Sequence, residues 1–289
     1  MLADAIRAEG YRLSKNRTAV LWSVLFVPAI ALVISAIANF ALNANAAKLT
    51  TSPDGPAELK SLVAGGPLDL GTALVEVAGN LAAPPILLFV LIGAATLYAG
   101  DYRWETWRLI SARNGRTNLL LGKVAVTAVL ALLAMIAMFV AGVGDKLIKA
   151  AVFDRPLTFT MTGDLAGQIA LISGLGWLNI VQFTMVGLLA ATVTRSLLAA
   201  LFIPAVLGVA QAISPNVFGG MGVMPDSWMA VLANPGGAFG FVQGMIDPSP
   251  GDSVPAGLAL KAWTSIALWT ALPLAGAVAW FKRQDLSKE

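Results

Sequence analysis

The chain has 289 residues, 57% hydrophobic and only 12% charged, where ordinary soluble domains run near 25% charged. It contains no cysteine and no histidine, which excludes disulfides, thiolate and HExxH-type metal sites, His-based triads and imidazole proton relays. The formal charge of +3 is small, so the position of the charges says more than their sum.

Met1–Thr18 sets Leu2, Ala5, Ile6 and Leu13 at helical spacing among Arg7, Arg12, Lys15 and Arg17. This suits a short amphipathic helix in the headgroup region, or equally a plain basic flank to the first apolar run. That run is about 22 residues long, beyond the roughly 7–15 of a secretory h-region. Although Ala44-Asn45-Ala46 has the form of a cleavage site, the run reads as an uncleaved span.

Six stretches are long and apolar enough to cross a bilayer. They are roughly Ala19–Phe40, Asn80–Ala99, Leu119–Val143, Ala166–Val193, Ser196–Ile213 and Ala262–Phe281. None is expected to carry Asp, Glu, Lys or Arg in its interior. Pro28, Pro84, Pro85, Pro204 and Pro273 fall inside them and read as kinks that neighbouring helices accommodate. The fold class is therefore an all-α, polytopic membrane protein forming one domain over residues 1–289.

Between the spans, Ala41–Gly79 is polar and turn-rich. Ser214–Lys261 mixes Pro, Gly and apolar residues, and its apolar content predicts short helices around Ser227–Ala233 and Ala238–Ile246. Gly236, Gly240 and Gly244 recur every fourth residue, a spacing that permits close helix contact. One set of loops and ends holds thirteen of the Lys and Arg residues and six of the acids; the other holds six and ten. By the positive-inside rule both termini are expected in the cytoplasm.

The densest charged and aromatic segment is Asp101–Arg116. Asp101 is placed to cap a helix, and Glu105 lies in its first turn, where the dipole favours an acid. Trp104 and Trp107 then share a face bordered by Arg103, Arg108 and Arg113. The segment reads either as an aromatic belt with positive-inside charge or as an interface anchor. Gly115–Lys123 is not a phosphate-binding loop, because GxxxxGK[ST] spacing is missing. Within the spans the polar residues are Ser173, Asn179, Gln182, Thr184 and Gln211, which either line a substrate path or bond across helices. With no intramembrane charge to couple to an ion gradient, uphill transport would need energy from another polypeptide.

The run from Asp101 to Lys123 (DYRWETWRLISARNGRTNLLLGK) resembles the cytoplasmic loop of ATP-binding-cassette (ABC) transporter permeases of the type-2, exporter-like class. That loop carries an acid after the second span, a Gly-Thr-hydrophobic-Arg run, an Arg before the third span and a Lys as it begins. Asp101, Thr106, Arg108, Arg116 and Lys123 occupy those places. Glu105 stands where glycine is usual, and Asn114-Gly115 replaces Pro-Val or Pro-Ile. Ala8–Thr18 is also similar to the start of this family, including members in bacteriocin-immunity and drug-efflux systems.

The resemblance implies a permease half in a bacterial inner membrane, paired with itself or a similar subunit, with no catalytic, metal or cofactor site of its own. ATP would be used by two separate ATPase subunits docked on a coupling helix at about 101–116. Asp101, Trp104, Glu105, Thr106, Trp107, Arg108, Arg113, Arg116 and Lys123 would form that docking element. Asn179, Gln182 and Gln211 would lie on the substrate path, and no nucleic acid is implied. Two alternatives from other classes stand beside it: a lipid-modifying enzyme using Asp226, Asp247 and Asp252, and a channel or carrier that works alone.

Overall fold

The computed structural model describes residues 1–46, 66–103, 107, 114–248, 255 and 257–284. Among these, six helices are long and apolar enough to span a membrane: Arg17–Ala44, Pro84–Tyr102, Arg116–Val152, Gly163–Thr194, Leu197–Gly220 and Leu258–Arg283. They contain the six stretches expected from hydropathy apart from a few terminal residues. A separate helix, Leu2–Lys15, precedes them. The outer-loop helices appear as Trp228–Ala233 and Pro235–Ile246.

The fourth span is the hub. It packs against the second, third, fifth and sixth spans. The first and fifth spans lie outside this cluster: 17% of the most apolar window is buried in each, against 56% for the second. Their remaining apolar faces are what a bilayer would cover.

The third span runs 37 residues, about 55 Å at ~1.5 Å per residue, well beyond the ~30 Å hydrocarbon core. Its charges divide that length. From Lys123 to Asp145 the helix rises about 33 Å, a stretch free of Asp, Glu, Lys and Arg. The helix thus has a lower end at Lys123 and an upper end at Asp145-Lys146. Contacts assign the described segments outside the spans to those ends. The lower end gathers residues 1–15, 101–103, 192–197 and 281–284, and the upper end gathers 35–45, 66–83, 145–168, 219–248 and 257–258.

The upper end is joined by polar contacts. Lys146 pairs with Glu76 at 2.5 Å, while Ser35 and Asn39 of the first span donate to Asp145. Glu76 belongs to a helix, Leu70–Gly79, inside the segment expected to be only loop. Asp69 caps it, accepting from the Thr72 amide, and Leu68-Asp69 pairs in parallel with Leu157-Thr158. The Thr160 hydroxyl, helped by the Thr72 amide and the Thr158 hydroxyl against a cost of burial, holds the Asp69 carboxyl below its ordinary pKa. Residues 47–65 of the same expected loop lie outside the described part of the chain.

The prolines divide into two kinds. Pro84 and Pro85 open the second span rather than interrupting it, a position where a missing N–H costs nothing. Pro28 is separated by one residue from a π-helical turn, Leu21–Phe26, and lies in the first turn of the α-helix Val27–Ala44. Pro204, Pro215 and Pro273 are inside helices, where each leaves the carbonyl four residues earlier without its helical donor. Close approaches fix the packing between spans. A Cβ on Gly93 would stand 2.5 Å from Ser23 Oγ of the first span and 2.6 Å from Leu130 Cδ2 of the third.

Gly93→Val is therefore expected to destabilise the bundle by about 1–3 kcal/mol through overpacking. Gly174→Val, where an added Cβ meets nothing within 4 Å, is expected to change little. Thermal unfolding of both variants in mild detergent checks the contrast.

Candidate functional site

The N-terminal helix turns Ala5, Glu9 and Leu13 inward, one above another at four-residue steps. They face the start of the third span. Gly122 permits the approach: a Cβ there would lie 2.9 Å from Ala5 Cβ and 3.1 Å from the Ala5 carbonyl carbon. One residue further, Lys123 is fully buried. The third helix begins at Arg116, so Lys123 lies about two turns within it, which corrects the expectation of charge-free span interiors.

Two carboxylates meet this lysine. Its Nζ lies 2.6 Å from Asp101 Oδ2 and 2.9 Å from Glu9 Oε1, and it donates to the Leu97 carbonyl at 2.7 Å. Arg12 closes the group from the solvent side, 2.8 Å from Asp101 Oδ1 and 3.2 Å from Glu9 Oε1. Burial opposes the charged Arg12, yet Glu9 and Asp101 more than offset it and raise its pKa. Two positive and two negative charges are thus neutralised where the N-terminal helix, the second span and the third span meet.

Trp107 covers the cluster, its ring centroid 5.2 Å from Lys123 Nζ. This is cation–π distance. The indole is 1% exposed and packs on Phe281 at 4.5 Å and Tyr102 at 5.5 Å. Phe281 leads to a second fastening. Arg116 donates to the carbonyls of Phe281, Lys282 and Gln284 at 3.1, 3.1 and 2.6 Å. A cation at a helix C-terminus satisfies orphan carbonyls and complements the dipole. Gln284 in turn donates to the Thr192 carbonyl and accepts from the Tyr102 hydroxyl. The sixth span is thereby tied to the second, third and fourth.

The expected docking residues therefore separate. Asp101, Trp107 and Lys123 point inward, and Arg116 is committed to the last helix. Asp101 is not a helix cap, since it lies inside Pro84–Arg103. Trp104, Glu105, Thr106, Arg108 and Arg113 lie outside the described residues. Glu9 was not among the residues singled out from sequence. Its signal is an acid between Ala5 and Leu13, on the face that ought to be apolar.

The expected path residues also separate. Gln182 is buried, 1% exposed. Asn179 and Gln211 line one cleft of about 560 Å³ between the second, fourth and fifth spans and the turn before Pro235–Ile246. Pro215 removes the helical donor to the Gln211 carbonyl, which accepts instead from Asn234 Nδ2 at 3.2 Å and Ser214 Oγ at 2.9 Å. Gln211 Oε1 accepts from the Gly236 amide at 3.2 Å, and Asn234 Oδ1 from Gly237 at 2.9 Å. Gly240 and Gly244 meet nothing within 4 Å of an added Cβ, so their spacing serves no contact among the described residues.

This architecture defines a multi-pass, all-α membrane protein. No protein-family model matches the chain, and no curated protein or solved structure shows detectable similarity to it.

Lys123→Met would leave Glu9 and Asp101 sharing Arg12 alone in a buried site. The expected loss is about 3–5 kcal/mol, the usual consequence of breaking a buried pair from one side. Adding Asp101→Asn removes the surplus carboxylate and is expected to recover part of that loss. Unfolding curves of the single and double variants in one detergent measure the difference.

Proposed function

We propose that this chain is the permease subunit of an ATP-driven exporter of the type-2 ABC class. It would form the substrate path in a bacterial inner membrane and take its energy from separate ATPase subunits beneath it. The observation that carries this reading is the ionic cluster at the lower end. It joins the N-terminal helix to the end of the second span and the start of the third, the two spans flanking the Arg- and Trp-rich segment. A force applied to that segment would reach both spans together.

The inward residues give the segment a role different from simple contact. Asp101, Trp107, Arg116 and Lys123 hold its two ends to the bundle, leaving docking to Trp104, Glu105, Thr106, Arg108 and Arg113. A second permease half, identical or similar, would complete the path.

Trp104→Ala combined with Arg108→Ala is expected to abolish co-purification of an ATPase while leaving membrane insertion intact; undiminished co-purification would overturn the docking role. Orientation is tested separately, and the lack of native cysteine leaves a clean background. A membrane-impermeant maleimide is expected to label Asn45→Cys in spheroplasts, and Ser14→Cys only after lysis. The reverse pattern would place the basic segment outside and exclude this function.

A further inference from the structure

The cleft containing Gln211 has the chemistry of a binding site. Every residue lining it is uncharged, and its volume lies within the roughly 300–1,000 Å³ of small-molecule pockets. Leu87, Leu91, Phe183 and Pro204 form the apolar wall. From Pro84 to Leu91 it descends about 10 Å from the upper end, and Asn179, Phe183 and Pro204 carry it to the middle of the bundle.

Two polar atoms in this wall have no partner within the described chain: Gln211 Nε2 and Asn179 Oδ1. Gln211 is only 7% exposed. The orientation of its amide is set by the Gly236 N–H, which donates to Oε1 and leaves Nε2 as the donor. An unsatisfied buried donor is costly, and nearly all such groups in proteins find a partner. The helix N-terminus beside it does not supply the attraction, because the Gly236 and Gly237 amides are already bonded.

We propose that this cleft binds a neutral amphiphile whose polar end both accepts and donates a hydrogen bond, such as a carboxamide or hydroxyl on an apolar chain. Gln211 Nε2 donates a hydrogen bond to the ligand's acceptor and Asn179 Oδ1 accepts one from its donor, while the chain lies along Leu87, Leu91 and Phe183. A charged end is disfavoured, because no counter-charge lines the cleft and an unpaired buried ion is far costlier than an amide. Calling the bound molecule a transported substrate rests on the permease reading; the site itself rests on the cleft and its two unpartnered atoms.

The test uses the purified full chain in nanodiscs without nucleotide, labelled by dodecanamide carrying a diazirine in its chain and mapped by mass spectrometry. Labels are expected on residues 87–91, 183 and 204–212. Dodecanamide and dodecanol are expected to compete, and dodecanesulfonate, dodecyltrimethylammonium and methyl dodecanoate to compete poorly. Gln211→Leu should weaken binding about three- to tenfold, the effect of one neutral hydrogen bond. Because Gln211 also holds Gly236, Asn179→Leu provides an independent variant with a similar expected loss, and Ala205→Phe should abolish labelling by filling the cleft. Equal competition by the charged analogues, labels spread evenly over the exposed faces of the first and fifth spans, or unchanged labelling in Asn179→Leu and Ala205→Phe would each overturn the proposal. Binding without ATPase co-purification would leave the site intact and remove the exporter reading; co-purification without binding would do the reverse.

Discussion

A fully buried lysine organises the lower half of this protein. Lys123 lies on the third span where water does not reach, so its charge must be met by side chains close by. Glu9 and Asp101 meet it from two other segments, and both contacts require fixed positions. The N-terminal helix must lie against Gly122, and the second span must remain helical through Asp101. Trp107 closes over the cluster, and Phe281 beneath it continues the packing to the sixth span, whose end Arg116 caps. Each part of the lower end is therefore located, directly or through one neighbour, by a single ammonium group.

Backbone groups impose the second constraint. In a bilayer an unpaired carbonyl has no water to turn to, so each proline inside a span creates a demand that another element must meet. Pro215 frees the Gln211 carbonyl, and Asn234 from the outer segment supplies the missing donor. Pro204 frees the Ala200 carbonyl, which faces Gly187 of the fourth span so closely that a Cβ there would stand 2.9 Å away. Pro215 thus makes an attachment point for the outer segment. The same Gln211–Asn234 contact places the outer turn along the wall of the cleft.

Rigidity is unevenly distributed as a result. Ionic and cap contacts knit together the N-terminal helix and the lower ends of the second, third, fourth and sixth spans. The first span is joined to Asp145 at its upper end and packs on the second through Trp22 and Phe26 against Phe89, and the fifth packs on the second and fourth with most of its surface uncovered.

Hydropathy alone determined the number of spans and their approximate bounds, because a bilayer demands about 20 apolar residues in succession and this chain supplies that length six times. The short helices at Trp228–Ala233 and Pro235–Ile246 were also legible from local composition. The helix Leu70–Gly79 was not, since ten residues beginning after a capping aspartate are too few to stand out beside spans. Asp101 looked like a cap because acids commonly start helices, and only the approach of Lys123 and Arg12 makes it tolerable inside one. Asn179 and Gln211 were visible as polar residues in apolar runs, but their sharing of one cleft follows from contacts between the second, fourth and fifth spans. Composition reports the cost of placing each residue in lipid; which charges and amides meet depends on how the helices pack, and that is a property of the tertiary structure alone.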